Sequence, residues 1–253
     1  MNKQNKLKVI NRDVLKYIAV TAMFIGHFLL FTIKEYHFFG IPKQIVTILV
    51  NLQYIAPPIF FFCIAEGFRY TNSKAKYALR LFVFAVITQI AYVLCHTLTF
   101  DVLMFFTDWN VIMTFFLGLV ILIIWECKLP LPARLLMIAA CGALNLLISL
   151  EWGITGLLII FAFYLLREHP YMRLLAYELI FIGYITISSG RITAIFTSRQ
   201  FQALFLSITL SGLLITFFYN GKKGKHPIFS KYFFYIFYPA HLLLIFFVRL
   251  IAS

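Results

Sequence analysis

Residues 13–33 read DVLKYIAVTAMFIGHFLLFTI, a run in which Asp13, Lys16 and His27 are the only acidic, basic or imidazole side chains. A bilayer's hydrocarbon core of roughly 30 Å takes about 20 mostly apolar residues as a helix, so this stretch has the length and composition of a membrane span. The basic MNKQNKLKVINRD before it resembles the start of a signal peptide, but the apolar run that follows is long and carries no Ala-x-Ala-like cleavage site, and we expect a retained first span. Eight further apolar stretches follow, at 44–66, 77–98, 110–126, 131–149, 152–167, 172–189, 201–219 and 231–250. The expectation is an all-α polytopic membrane protein, a bundle of about nine transmembrane helices forming a single domain over 1–253. The shorter stretches suit helices buried in a bundle or a locally thin bilayer.

Composition agrees. Of 253 residues, 62% are hydrophobic and 12% charged, and the mean hydropathy is +0.92. Soluble domains carry roughly 25% charged residues, and disordered chains combine low hydrophobicity with high charge, so both classes are excluded. Cys63, Cys95, Cys127 and Cys141 stand singly, which implies neither a disulfide framework nor a zinc site. A net charge of +13 would suggest nucleic acid in a soluble protein, but here it is a topology signal and no nucleic-acid partner is expected. The N-terminal tail and alternate connections hold 17 of the 22 Lys and Arg residues, Lys225 among them, whereas Asp101, Asp108 and Glu151 fall on the other side. The positive-inside bias places the N-terminus in the cytoplasm. No internal repeat and no inverted pair of Gly- or Pro-broken helices is visible.

Ionisable groups inside spans cost a few kcal/mol to insert and therefore mark candidate sites. Four places qualify. In the first span Asp13, Lys16, Val20 and His27 fall on one helical stripe, with cations at its start and an imidazole near mid-membrane that can lead an anionic ligand to a base. The second ends in PPIFFFCIAEGFRYT (57–71), where Glu66 and Arg69 share a helix face, Pro57 and Pro58 should kink the span, and Arg69, Lys74, Lys76 and Arg80 form a cationic patch. The third pairs Asp108, Trp109 and Asn110 with Glu151, Trp152 and Gly153, read as interfacial tryptophans beside solvated acids. The fourth joins YNGKKG (219–224), whose Lys222 and Lys223 suit a phosphate, to YFFYIFYPAHLLL (232–244), which places His241 two residues past Pro239 in the last span.

These segments resemble the TraX family of membrane acetyltransferases, known for acetylating the N-terminal amine of pilin in the bacterial inner membrane. The resemblance rests on DVLKYIAVTAMFIGHF, IAEGFRYT with KYALRLFVFAVITQIAY, NVIMTFFLGL, YNGKKG and YFFYIFYPAHLLL, in that order over nearly the whole chain. It departs at one point: family members usually carry Asp-His in the first span, and Gly26 precedes His27 here. The resemblance implies functional roles for His27, Glu66, Arg69, Arg80, Asn110 and His241, an acetyl-CoA co-substrate, an amine on a peptide or pilin-like acceptor, and a multi-pass inner-membrane location in contact with lipid.

Chemistry and resemblance suggest one arrangement. Coenzyme A is an anion that a basic face of Lys16, Arg69, Arg80, Lys222 and Lys223, with Lys74, Lys76 and Lys225, would hold. A near-neutral imidazole suits removal of the amine proton, a role we expect of His27, with Asn110 or His241 donating to the tetrahedral oxyanion. Direct transfer is expected over an acyl-enzyme on Cys63, beside which nothing activates a thiolate. Two competing readings are an acyltransferase for a sugar or lipid hydroxyl, using Asp108 and Glu151, and a proton-coupled transporter, using His27, Glu66 and His241 as a relay.

Overall fold

The computed structural model describes residues 7–36, 42–224 and 227–252. Nearly all of them are helical: α1 (Arg12–Tyr36), α2 (Lys43–Asn51), α3 (Ala56–Tyr70), α4 (Lys74–Thr97), α5 (Val102–Thr107), α6 (Val111–Glu126), α7 (Leu131–Leu147), α8 (Gly153–Leu165), α9 (Pro170–Ser189), α10 (Ala194–Thr197), α11 (Arg199–Leu213) and α12 (Pro227–Ala252). Six stretches are long and apolar enough to cross a bilayer: Arg12–Thr32, Gln44–Tyr70, Lys74–Thr97, Pro170–Ser189, Arg199–Phe218 and Tyr232–Ala252. Val111–Glu126, Leu131–Asn145 and Gly153–Leu165 are shorter apolar helices that fall in the remaining three expected positions. This is an all-helical membrane-type protein.

The expected kink in the second span is a break. α2 ends at Asn51, a 3-10 turn covers Leu52–Ile55, and α3 restarts at Ala56. Pro57 and Pro58 thus fall in the first turn of α3, where a missing N–H costs little. Pro239 instead lies inside the continuous α12.

The chain divides into two compact units, Met1–Phe60 with Leu166–Phe237 and Phe247–Ser253, and Phe61–Leu165 with Tyr238–Phe246. In the first unit α1 packs on α2 and the 3-10 turn, and α11 packs on that turn, on α2 and on α9. Gly26 permits the first contact, because a Cβ there would lie 2.8 Å from the Val50 carbonyl and 2.9 Å from the Gln53 amide nitrogen. Tyr177 of α9 donates to the Ile208 carbonyl of α11 at 2.8 Å. α11 runs into a π-turn, Leu214–Phe218, after which Tyr219 pairs with Ile10 in a parallel bridge.

In the second unit α6 is apolar all round and buried, as a helix without a polar face must be. α4 and α8 flank it. Small residues let the backbones approach: Gly118 of α6 lies against Ile160, and Gly156 of α8 against Thr114 and Phe61. Edge-on aromatic pairs fill the remaining space, Phe61 with Phe115, Phe62 with Phe163 and Phe68 with Tyr164. One end of the unit is tied by two short parallel strands, β1 (Asp108–Trp109) and β2 (Ser149–Leu150).

Candidate active site

The second unit has two polar ends. At one, α3 finishes, α4 begins and α6 finishes, and Lys74 pairs with the Glu126 carboxylate, to which Tyr164 also donates. The Lys74 ammonium lies 4.2 Å above the Phe68 ring. Glu66 is partly buried, Arg69 is exposed and stacks on Tyr70 at 5.6 Å, and Arg80 stacks on Tyr77 at 5.7 Å. The Arg80 Nε is buried with no hydrogen-bond partner, a donor left over for an anion. Glu66 and Arg69 near the end of α3 and Arg80 in the second turn of α4 thus fall at one cationic end of the unit.

At the other end sits Glu151. Its amide donates to the Trp109 carbonyl at 2.9 Å, extending the β pairing, and its carbonyl accepts from the Thr114 hydroxyl. Its carboxylate Oε2 receives the Val111 N–H at 3.0 Å, at the N-terminus of α6, and the Tyr238 hydroxyl at 3.3 Å. Desolvation outweighs these donors and raises the Glu151 pKa to about 7. Glu151 was expected to be solvated; the loop in fact folds its carboxyl inward. Tyr238 also packs against His241, their rings 5.3 Å apart, and His241 is only 3% exposed. Tyr92 of α4 lies within electrostatic reach of both Glu151 and Asp108.

Asn110 lies beside this cluster as a structural bolt. Fully buried, it caps α6 by accepting from the Ile112 N–H at 3.0 Å, while its amide donates to the Ala85 carbonyl at 2.9 Å and to the Gln89 Oε1 at 2.8 Å. Gln89 in turn donates to the Asp108 carbonyl at 2.6 Å. Both amide hydrogens of Asn110 are committed, so in this geometry none is left for the expected oxyanion.

The first unit holds the other expected residues. The buried face of α1 runs through Leu15, Ala19, Ala22, Met23 and Gly26, so Lys16 and His27, both partly exposed, border it. His27 packs edge-on against Phe31 at 6.3 Å, and the Lys16 ammonium lies 5.0 Å from the Phe234 ring. The YNGKKG turn is sewn to the start of α1: Ile10 donates to the Phe218 carbonyl at 2.9 Å and Arg12 to the Lys222 carbonyl at 3.0 Å. Gly224 lies directly against the buried Asp13 carboxylate. Lys222 and Lys223 stay exposed, and Lys225 lies outside the described residues. Among the described residues no group of three or more His, Cys, Asp or Glu could hold a metal.

A family model described as TraX protein matches residues 11–249. The chain belongs to the TraX family. A relative named probable fimbrial assembly protein FimC, serogroup H1, from Dichelobacter nodosus is 29% identical over 243 residues, covering 91% of this chain and 92% of that protein. No solved structure matches. The glycine before His27 has a physical reason: a side chain at 26 would strike the backbone of Val50 and Gln53.

Sequence reading missed Tyr92 and Tyr238 and undervalued Glu151. Tyr238 stands three residues before His241, hence on the same helical face, and that spacing was the available signal. Glu151 stands beside a tryptophan in a short connection, which reads as a membrane surface rather than a core.

Proposed function

We propose that this protein is an integral membrane acetyltransferase that moves an acetyl group from acetyl-CoA to the N-terminal amine of a pilin-like or fimbrial peptide in the bacterial inner membrane, with nine helices crossing. TraX membership and a relative named for fimbrial assembly support a pilin-related partner. The observation that carries the reading is the Glu151 carboxyl, poised near neutrality and joined through Tyr238 to a buried imidazole. Paired titratable groups in a dry setting are what proton transfer at neutral pH requires.

In this reading Arg69 and Arg80 bind the donor's phosphates, with Glu66 positioning Arg69 one turn away. Along α4, Arg80 and Tyr92 are about 18 Å apart at 1.5 Å per residue, a distance suited to the extended arm of coenzyme A. The bound donor supplies an activated thioester. The incoming ammonium loses a proton to His241, whose imidazolium the Glu151 carboxylate stabilises. The amine nitrogen then bonds to the acetyl carbon, the C–S bond breaks and the thiolate takes that proton back from His241, whose freed imidazole accepts the second nitrogen proton as the amide forms and releases it to solvent. We assign the base to His241 because its ring packs on Tyr238, whose hydroxyl donates to the Glu151 carboxylate. Lys16, Lys222 and Lys223 form an anion-attracting surface in the first unit.

The test is mass spectrometry of pilin and other exported peptides made with and without this protein. A gain of one acetyl group at the terminal amine, lost in His241→Ala, is expected. Solute uptake by proteoliposomes without coenzyme A consumption would replace the reading with a transporter, and acetylated glycan or lipid with a hydroxyl acyltransferase.

A further inference from the structure

Asn145 stands at the end of α7, three residues before the Ile148 that leaves the helix, and it is 8% exposed. Its Oδ1 is buried and has no hydrogen-bond partner. Native proteins rarely leave such an acceptor unused, so the atom points to a donor that arrives from outside the chain. The amide lies over Gly153: a Cβ on that glycine would come within 3.3 Å of Nδ2 and 3.4 Å of Oδ1. Gly153 has φ +38° and Trp152 φ +68°, a left-handed pair that a non-glycine residue adopts only when its surroundings impose it. That loop also carries Glu151, whose Oε2 accepts from the Val111 N–H and the Tyr238 hydroxyl, while its Oε1 makes no hydrogen bond among the described residues.

Two features here point to an organic cation. The loop offers a carboxyl oxygen and an unused amide oxygen. No third acidic or imidazole ligand is present to make a metal site among the described residues. A primary ammonium, with three N–H donors and one charge, fits this set better than a hard metal ion does.

We propose that Asn145, with Glu151 on the loop that carries Trp152 and Gly153, is the receptor for the terminal ammonium of the acceptor peptide. The proposal rests on the acetyl-transfer reading for the identity of the amine and adds the residue that distinguishes a free terminus from a blocked one. Asn145 is a positioning residue: it orients the nitrogen while the proton leaves by way of the Glu151 cluster.

The test uses the full chain in detergent or nanodiscs and two short peptides of one sequence, one with a free N-terminus and one N-acetylated, with binding measured by calorimetry. The wild type should bind the free amine at least tenfold more tightly. Asn145→Leu should abolish that preference, and Asn145→Asp, which keeps an acceptor oxygen and adds charge, should preserve or increase it. No preference in the wild type, or an undiminished one in Asn145→Leu, overturns the proposal. If Asn145→Leu fails to fold, Asn145→Asp decides alone, since a preference lower than wild type has the same consequence. Acetyl transfer is followed separately: preference without transfer leaves the ammonium receptor and removes the acetyltransferase, while transfer without preference does the reverse.

Discussion

The two ends of the second unit are built from opposite materials. The end holding Lys74, Arg69, Arg80 and Glu126 relies on exposed charge, on an ion pair at the surface and on cations stacked over rings. The end holding Glu151, Asn110 and Gln89 relies on hydrogen bonds that are largely withdrawn from solvent. Exposed pairs are worth little and rearrange easily, which suits the capture of a mobile anion. Buried bonds are costly to break, which suits holding reacting groups in one geometry.

This contrast ranks the expected effects of mutation. His241→Ala should cost a hundredfold or more in acetyl transfer, the usual loss on removing a general base, while the protein still binds coenzyme A. Transfer that survives in His241→Ala but not in His27→Ala would move the base into the first unit. Asn110→Ala removes a helix cap and leaves Gln89 and the Ala85 carbonyl without their partner, a loss of about 2–4 kcal/mol that thermal unfolding in detergent would read. An unchanged unfolding temperature with lost turnover would instead return Asn110 to the oxyanion.

Glu151→Gln separates the buried end from the exposed one through pH. Because the folded carboxyl titrates near 7 rather than 4.5, the stability contributed by its proton is complete below about pH 4.5 and is lost as pH rises through 7. Gln cannot lose that proton, so the variant should match the wild type in acid and exceed it by about 3 kcal/mol at pH 8. A constant difference across that range would mean that Glu151 is not the titrating group. At the cationic end, Arg80→Glu should weaken thermal stabilisation by coenzyme A about tenfold in apparent affinity, whereas Lys74→Ala should change stability by less than about 1 kcal/mol. A larger loss in Lys74→Ala would erase the contrast between the ends.

Hydropathy located the helices because a bilayer imposes length and apolarity on each of them. The expected 77–98 and 172–189 match Lys74–Thr97 and Pro170–Ser189 within a few residues. It did not reveal the break at Leu52–Ile55, since a 3-10 turn and a continuous helix have the same apolar content. Nor did it reveal β1 and β2, whose two-residue pairing is a tertiary event without a periodic signature. Within the site, Arg69, Arg80 and His241 were visible as charges and imidazole near or inside apolar runs. Tyr238 was hidden among the many aromatics of α12, and Asn145 has no sequence signal, since its interest lies in an acceptor that the fold leaves unsatisfied.

The close seating of Gly26 on residues 50–53 bears on how this chain can be recombined with its relatives. Placing an aspartate at 26 would push on two main-chain atoms that no rotamer change can relieve. A working hybrid would have to import the donor's equivalent of the Asn51–Gln53 stretch in the same cassette, making the first two apolar segments a single unit of inheritance.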